Sequence, residues 1–345
     1  MKRLLQLGLG LGVSALCVWL SMRDVHVGEV LHELRGASGL GFVAAMAVTI
    51  LGFWLRAVRW RYFVNVGRRL SLDALFSATM IGFMANNVLP FRLGEFVRPW
   101  VLARRERLSK TTLLATVVVE RAIDMITLLG IFGVTMVVHP IAEDTDAGRL
   151  VQWGARVLVI LCILLTVLVI AIERSRALAQ RFVALVTGPF PPAARERIAA
   201  MLEQFIAGLG LFRDFGKLAV VFALSIAMFL CFACALGISL VSLGISLPWY
   251  AGLIMLVITA IGIMVPAAPG YIGTLNIACT AGLALFGVGK ALSVPFSWFY
   301  FFSQWLPITA VGLVFLNREG LSLGSLGEAQ RGDDRTATPR EQENA

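Results

Sequence analysis

The densest run of chemically capable residues is Asn86-Asn87-Val88-Leu89-Pro90-Phe91-Arg92-Leu93-Gly94-Glu95-Phe96-Val97-Arg98. Arg92, Glu95 and Arg98 recur every third residue, so on a helix they would form one charged stripe with a single net positive charge. Arginine binds phosphate bidentately, which makes this stripe a candidate seat for a phosphate group. The plainer alternative is that Arg92 and Arg98 only reach along their alkyl stems to an aqueous boundary. The Glu and the two Asn beside them favour a site. Pro90 and Gly94 interrupt any helix through this run, and Asn86 and Asn87 can cap or bridge the backbone groups so freed.

A second cluster is Glu120, Arg121 and Asp124, inside an otherwise apolar stretch at 112–138. At helical spacing Glu120 and Asp124 share a face and Arg121 reaches Asp124. An ionised group at mid-membrane costs about 2.5–3.5 kcal/mol on insertion scales, so it should face the protein and be paired. Arg92 or Arg98 would be a suitable partner. A purely architectural ion-pair network remains the competing reading. A third constellation is Pro266-Ala267-Ala268-Pro269-Gly270-Tyr271-Ile272-Gly273-Thr274-Leu275-Asn276. If a half-helix starts near Gly273, its unpaired N–H groups favour an anion, with Thr274 and Asn276 as added donors. The alternative is a simple turn between two helices. Further on, Gln304 stands ready to hydrogen-bond across to one of these breaks.

The elements that position these groups must be membrane helices. Of 345 residues, 58% are hydrophobic and 15% charged, with a mean hydropathy of +0.83. A soluble domain runs near 45–50% apolar and about 25% charged. The expected fold is an all-α polytopic membrane protein. About 20 apolar residues cross the ~30 Å hydrocarbon core. Stretches of that length lie at 4–22, 38–58, 112–138, 154–172, 217–243 and 291–316. The first lacks an A-x-A cleavage site and is expected to remain as a helix rather than be removed as a signal peptide. Two further apolar regions, 71–103 and 250–288, are broken in the middle into short halves.

Charge placement sets the topology. Segment 56–70 carries Arg56, Arg59, Arg61, Arg68 and Arg69 with no acid, and 98–110 and 173–217 are also rich in Arg and Lys. The positive-inside rule puts these segments and both termini in the cytoplasm, with 23–35 and 139–149 outside. Region 71–103 then enters from the cytoplasm and returns to it, and 250–288 does the same from outside. The expectation is about six spanning helices plus two inverted re-entrant hairpins. Two ordinary spanning helices at 250–288 remain the alternative. Broken segments in matching positions of two halves are a sequence pointer to a transport site. Residues 174–213 read as a cytoplasmic connection whose Ile198, Leu202, Phe205, Ile206 and Leu209 make an amphipathic helix. Residues 1–317 thus form the membrane domain, and 318–345 a polar, disordered cytoplasmic tail.

The five cysteines all fall in apolar stretches, and the Cys231–Cys234 pair has no second pair or nearby His. No metal or cofactor site is expected. No phosphate-cradling P-loop sequence appears, so transport without ATP hydrolysis by this chain is expected. No hydrolase or metalloprotease signature is present, and nucleic-acid binding lacks both a module and a soluble basic face.

The Asn86–Arg98 motif, the basic 104–110 stretch, Glu120-Arg121-x-x-Asp124 and Pro266-x-x-Pro269-Gly270-x-x-Gly273 together resemble the lysylphosphatidylglycerol synthase transmembrane region, a flippase-like family. The likeness covers roughly residues 1–317. It implies a bacterial inner-membrane protein, some of whose relatives are implicated in moving aminoacylated phospholipid between leaflets. By that resemblance Asn87, Pro90, Arg92, Gly94, Glu95, Arg98, Glu120, Arg121, Asp124, Pro269, Gly270 and Gly273 occupy motif positions. Many members carry a Glu three residues after the last Gly, where this chain has Asn276. The soluble aminoacyl-transferase domain of the full-length synthases has no counterpart here, so lysyl-lipid synthesis is not expected. The leading expectation is a non-enzymatic lipid translocase for an anionic, aminoacylated or polyprenyl-phosphate-linked lipid. Its rivals are a scaffold recruiting a lipid- or envelope-modifying enzyme and an integral-membrane transferase with Glu95 or Asp124 as base.

Overall fold

The computed structural model describes residues 12–23, 25–64, 70–89, 92–139, 215–264 and 269–326, Val13 excepted, with isolated positions between 153 and 164. The expected spans at 4–22, in part, and 154–172, and the amphipathic helix in 174–213, lie outside the described residues. A helical segment ends at Met22. It is followed by α1 (Val27–Gly36), α2 (Gly39–Phe63), α3 (Leu72–Val88), α4 (Gly94–Glu106), α5 (Lys110–Val138), α6 (Phe215–Ser242), α7 (Ala251–Met264), α8 (Thr274–Ala284), α9 (Lys290–Arg318) and a last turn, α10 (Leu323–Leu326). Among the described residues, α2, α5, α6 and α9 are long and apolar enough to cross a membrane. The protein is an all-α membrane protein.

Serines set three of the helix starts. Ser38, Ser71 and Ser109 each accept from a backbone N–H of the first turn, the preferred way to satisfy a donor that has no intrahelical partner. The antiparallel pair α2 and α6 forms the largest contact. Its spacing depends on Gly52, where a side chain would come within 2.7 Å of the Phe232 ring.

The two interrupted regions fold as antiparallel helix pairs. In the first, α3 and α4 are joined at a tip where Asn86 Oδ1 accepts from Gly94 N at 2.8 Å. The helices press together at Gly94, where an added Cβ would sit 1.9 Å from the Gly82 carbonyl oxygen. The open end of this hairpin is tied by Arg105 to Asp73 at 2.7 Å, and Asp73 is tied in turn to Arg318 of α9 at 2.8 Å. In the second pair, α7 and α8 touch where Gly262 faces Ala278 and Gly282 faces Met255. Its open end lies with the C-terminal end of α5, where His139 stacks on Tyr250 at 4.3 Å. At 14 and 11 residues, α7 and α8 rise only about 21 and 17 Å, short of the ~30 Å core. The hairpins therefore open toward opposite ends of the bundle and meet at their tips.

Three expectations change. Arg56 and Arg59 are not loop charges: α2 continues to Phe63 and buries both inside the bundle. The connection 23–35, expected as a loop on the outer side, is largely helical, as α1. The chain also stays packed beyond the expected boundary at 317, since Glu319 pairs with Arg105 and Leu326 is fully buried.

Candidate functional site

An ionic network joins α2, α4 and α5. Glu120 is its centre and is completely buried. Its Oε1 accepts from Arg56 at 3.0 Å and Arg59 at 3.1 Å, and its Oε2 accepts from Arg98 at 2.8 Å. Asp124, one turn on, accepts from Arg56 at 3.1 Å and lies 2.6 Å from Arg59 and 3.4 Å from Arg121. The i,i+4 spacing lets one guanidinium bridge both carboxylates, as the sequence pattern requires. Arg59 also donates to Ser225 of α6 at 2.7 Å.

Among the described residues four guanidiniums thus face the two carboxylates of α5, a local surplus of positive charge. Taking charges out of water costs several kcal/mol per ion, which only close pairing repays. Aromatic faces supply part of the remainder: Arg98 lies 3.7 Å from the Trp60 ring centre and Arg56 5.1 Å from that of Phe83. Even so, Nε of Arg56, Arg59 and Arg98 and Nη2 of Arg98 find no acceptor among the described residues. The interior is biased toward an anion.

The network reaches an accessible edge at the hairpin tips. Arg92 precedes α4 in a left-handed conformation with φ 53°, so it leaves the stripe expected for Arg92, Glu95 and Arg98. Arg98 turns inward to Glu120, whereas Arg92 turns to the tip. There its Nη2 lies 3.4 Å from Glu95, and its Nη1 donates to the Ile263 carbonyl of α7 at 3.3 Å. Glu95 stands 3.9 Å from Arg121. These three side chains are each about one-third exposed (36%, 33% and 32%) where the buried network is nearly dry. Tyr271, from the second tip, places its ring 5.6 Å from the Arg92 guanidinium. Among the described residues the ion-pair partner of Arg92 is Glu95, and of the two candidate partners Arg98 bonds Glu120.

The second tip departs from expectation. Helix α8 does begin beside Gly273, but its polar groups are turned inward. Asn276 Oδ1 accepts from Gly273 N at 3.1 Å and its amide donates to Ser297 at 2.9 Å. Thr274 donates to the Tyr271 carbonyl at 3.3 Å. Ser14 of the first helical segment covers Gly273, where an added Cβ would lie 2.6 Å from its carbonyl oxygen. These residues cap the half-helix rather than present it. Gly270 packs against Trp305 and the Asn87 carbonyl, while Asn87 donates to Thr309 of α9 at 3.1 Å instead of bridging its own break. Gln304 accepts from Thr49 of α2 at 3.0 Å, not from a hairpin. Of the breaking residues, Pro90 and Pro266 lie outside the described residues, and Pro269 opens a short 3-10 turn.

Sequence reasoning missed Arg56, Arg59, Ser225 and Tyr271. The available signal for the two arginines was that Trp60, Tyr62 and Phe63 continue the apolar run past them. Beside the second tip, an apolar cleft of about 710 Å³ runs along Ser14, Val18, Trp19, Met22 and Ile272. Among the described residues no group of His, Cys, Asp and Glu is arranged to hold a metal.

At the open end of the first hairpin, outside the long spans, the hydrogen bond from Arg105 holds the Asp73 carboxyl below its usual range, with Arg318 adding to the effect.

The chain is similar to a protein named glycosyltransferase AglD from Haloferax volcanii, with 26% identity over 226 residues. That match covers 58% of this chain and 35% of the relative, so the chain spans well under half of that protein. The sequence model described as the lysylphosphatidylglycerol synthase TM region matches residues 7–312, nearly the whole membrane part, and the chain belongs to that family.

Proposed function

We propose that this protein is a lipid translocase of the bacterial inner membrane, with both termini cytoplasmic, that carries a phosphate-bearing headgroup between leaflets without ATP hydrolysis. The two helix pairs act as re-entrant hairpins inserted from opposite faces. The observation that carries this reading is the meeting of their tips at a partly exposed Arg92–Glu95–Arg121 group, backed by a buried network with surplus positive charge. Arg92 and Arg121 hold the headgroup, and Glu95 serves as the exchangeable counter-ion. The apolar cleft along the first helical segment suits an acyl chain while the head is at the tips. In this reading the chain moves a lipid and makes or breaks no covalent bond.

The test is reconstitution into vesicles carrying fluorescent phospholipid analogues, with dithionite reporting the share in each leaflet. Wild type is expected to speed exchange, and an Arg92→Ala, Glu95→Ala double variant of unchanged fold to lose most of it. Equal exchange by both proteins would remove the site from the mechanism.

One observation favours a second reading. The relative named a glycosyltransferase extends well beyond the matched region, so this membrane unit can act beside a lipid-modifying enzyme. A scaffold of that kind predicts a stable co-purifying partner and no exchange by the pure protein.

A further inference from the structure

Arg92 and Arg98 stand on either side of the start of α4, yet they are held very differently. Arg98 is 2% exposed and bonded to Glu120 at 2.8 Å. Arg92 is 36% exposed, and its contacts with the Ile263 carbonyl and Glu95 are 3.3 and 3.4 Å long, beyond the roughly 2.7–3.2 Å usual for an N–H···O bond. Those two contacts divide the Nη1–Nη2 edge of the guanidinium. One nitrogen faces the Ile263 carbonyl of the second hairpin and the other faces Glu95 of the first. That edge is also one through which arginine grips a phosphate with two parallel bonds.

The backbone around this contact is poised as well. Arg92 at φ 53° and Tyr271 at φ 61° both occupy the left-handed region, which large side chains seldom adopt and keep only where their surroundings hold them. Ile263 lies in the last turn of α7, where carbonyls lack an intrahelical partner, so Arg92 satisfies a helix end across the junction. Glu95, if released by Arg92, still has Arg121 beside it at 3.9 Å.

We propose that Arg92 is at once the anion-binding group and the latch between the hairpin tips, so that a phosphate-bearing headgroup loads only by drawing Arg92 off the Ile263 carbonyl and parting the tips. This rests on the translocase reading above and adds a coupling that simple binding does not require. A phosphate that takes the shared edge displaces both existing contacts together. Binding and opening are then one event.

The experiment is amide hydrogen exchange on the full-length protein in detergent micelles, alongside a binding titration of the same sample. The probes are dihexanoyl phosphatidic acid and inorganic phosphate. The lipid is expected to bind and to raise exchange several-fold at 86–89, 92–95, 260–264 and 270–273. Inorganic phosphate should do so only at higher concentration, and if it acts at lower concentration than the lipid, the anchored headgroup is not the ligand. Arg92→Gln should exchange fast at both tips without a probe and ignore either probe. Arg92→Lys keeps the positive charge but has no planar two-nitrogen edge to hold both contacts, and should exchange faster than wild type at both tips without a probe. It keeps the test decisive if Arg92→Gln does not fold. If wild type binds the lipid while tip exchange stays level or slows, the latch is wrong and the binding site stands. If neither probe binds to wild type, the anion site fails first and the latch with it.

Discussion

In the first hairpin the break is followed by Glu95 and Arg98, whose charges are answered by Arg121 and Glu120 of α5. In the second it is followed by Thr274 and Asn276, whose hydrogen bonds stay within the hairpin and the adjoining α9. The contrast extends along the chain, since residues 218–289 contain no charged side chain at all. Both hairpins solve the same backbone problem, a helix end at depth in the bundle, with an Asn side chain accepting a tip N–H: Asn86 for Gly94 and Asn276 for Gly273. Only the first also recruits ionised groups. Similar shapes thus carry unequal chemistry: charge recognition belongs to the first tip, and the second supplies closure through Tyr271 and the Ile263 carbonyl.

The sharpest way to break this comparison is to remove the central polar side chain from each side. Glu120→Ala leaves Arg56, Arg59 and Arg98 without their shared acceptor, and breaking a buried ion pair typically costs about 3–5 kcal/mol. Asn276→Ala removes one cap and one neutral hydrogen bond, which costs about 1–2 kcal/mol. Denaturant unfolding of both variants in one detergent should rank them in that order. Equal losses would mean that the hairpins are held alike.

How far this division was legible beforehand depends on what each residue's neighbours look like in one dimension. Pro90 with Gly94 and Pro269 with Gly273 announce breaks because each couples a lost backbone donor to a conformationally free glycine a few residues on, whereas the lone Pro295 and Pro307 are carried inside α9. Glu120 and Asp124 announce themselves because charge inside a long apolar helix needs a partner. Arg56 and Arg59 did not, because they lie next to Arg61, Arg68 and Arg69 and so blend into a basic loop. Only the fold shows that α2 continues two turns below the carboxylates it serves. The identity of the partners was equally hidden: spacing aligned Arg92 with Arg98, but the left-handed turn at Arg92 sends the two in different directions. At the second tip, the Asn three residues after Gly273 suggests, by type and place alone, a donor for a ligand. Gly-x-x-Asn also fits a capping pattern in which the side chain bonds back to the preceding backbone N–H.

A smaller but cleaner probe uses the glycines at which the helices of each hairpin touch. In Gly94→Ala the new methyl would meet the Gly82 carbonyl oxygen at 1.9 Å, and backbone cannot yield by rotating. In Gly262→Ala it would meet the Ala278 methyl at 2.4 Å, with the Thr274 carbonyl oxygen next at 3.2 Å. Overpacking costs about 1–3 kcal/mol, and more where backbone must separate. Gly94→Ala is therefore expected to be the more damaging in thermal unfolding and to abolish lipid exchange as well, because it prises Glu95 and Arg98 from their partners. Gly262→Ala should lower the melting temperature with exchange retained. The reverse order would place the tighter constraint in the uncharged hairpin.

The smallest effect concerns the open ends. The first hairpin is clasped there by Arg105 and Arg318 on Asp73, and the second by aromatic packing of Tyr250. Because the Arg105 hydrogen bond depresses the folded-state value of Asp73 below its unfolded value of about 3.9, the clasp's contribution is complete above that unfolded value. It fades as pH falls through the lower folded value. The Asp73 side chain is 40% exposed, so solvent screens the pair and the contribution is on the order of 0.2–1 kcal/mol. Asp73→Asn should therefore melt slightly below wild type at pH 7, and the gap should close as the pH is lowered below about 3.9. Added salt at pH 7 should narrow the same gap, since ions screen an exposed pair. A gap that widened with acid would mean that Asp73 is stabilised in its protonated form, and the clasp would then be no ionic tie at all.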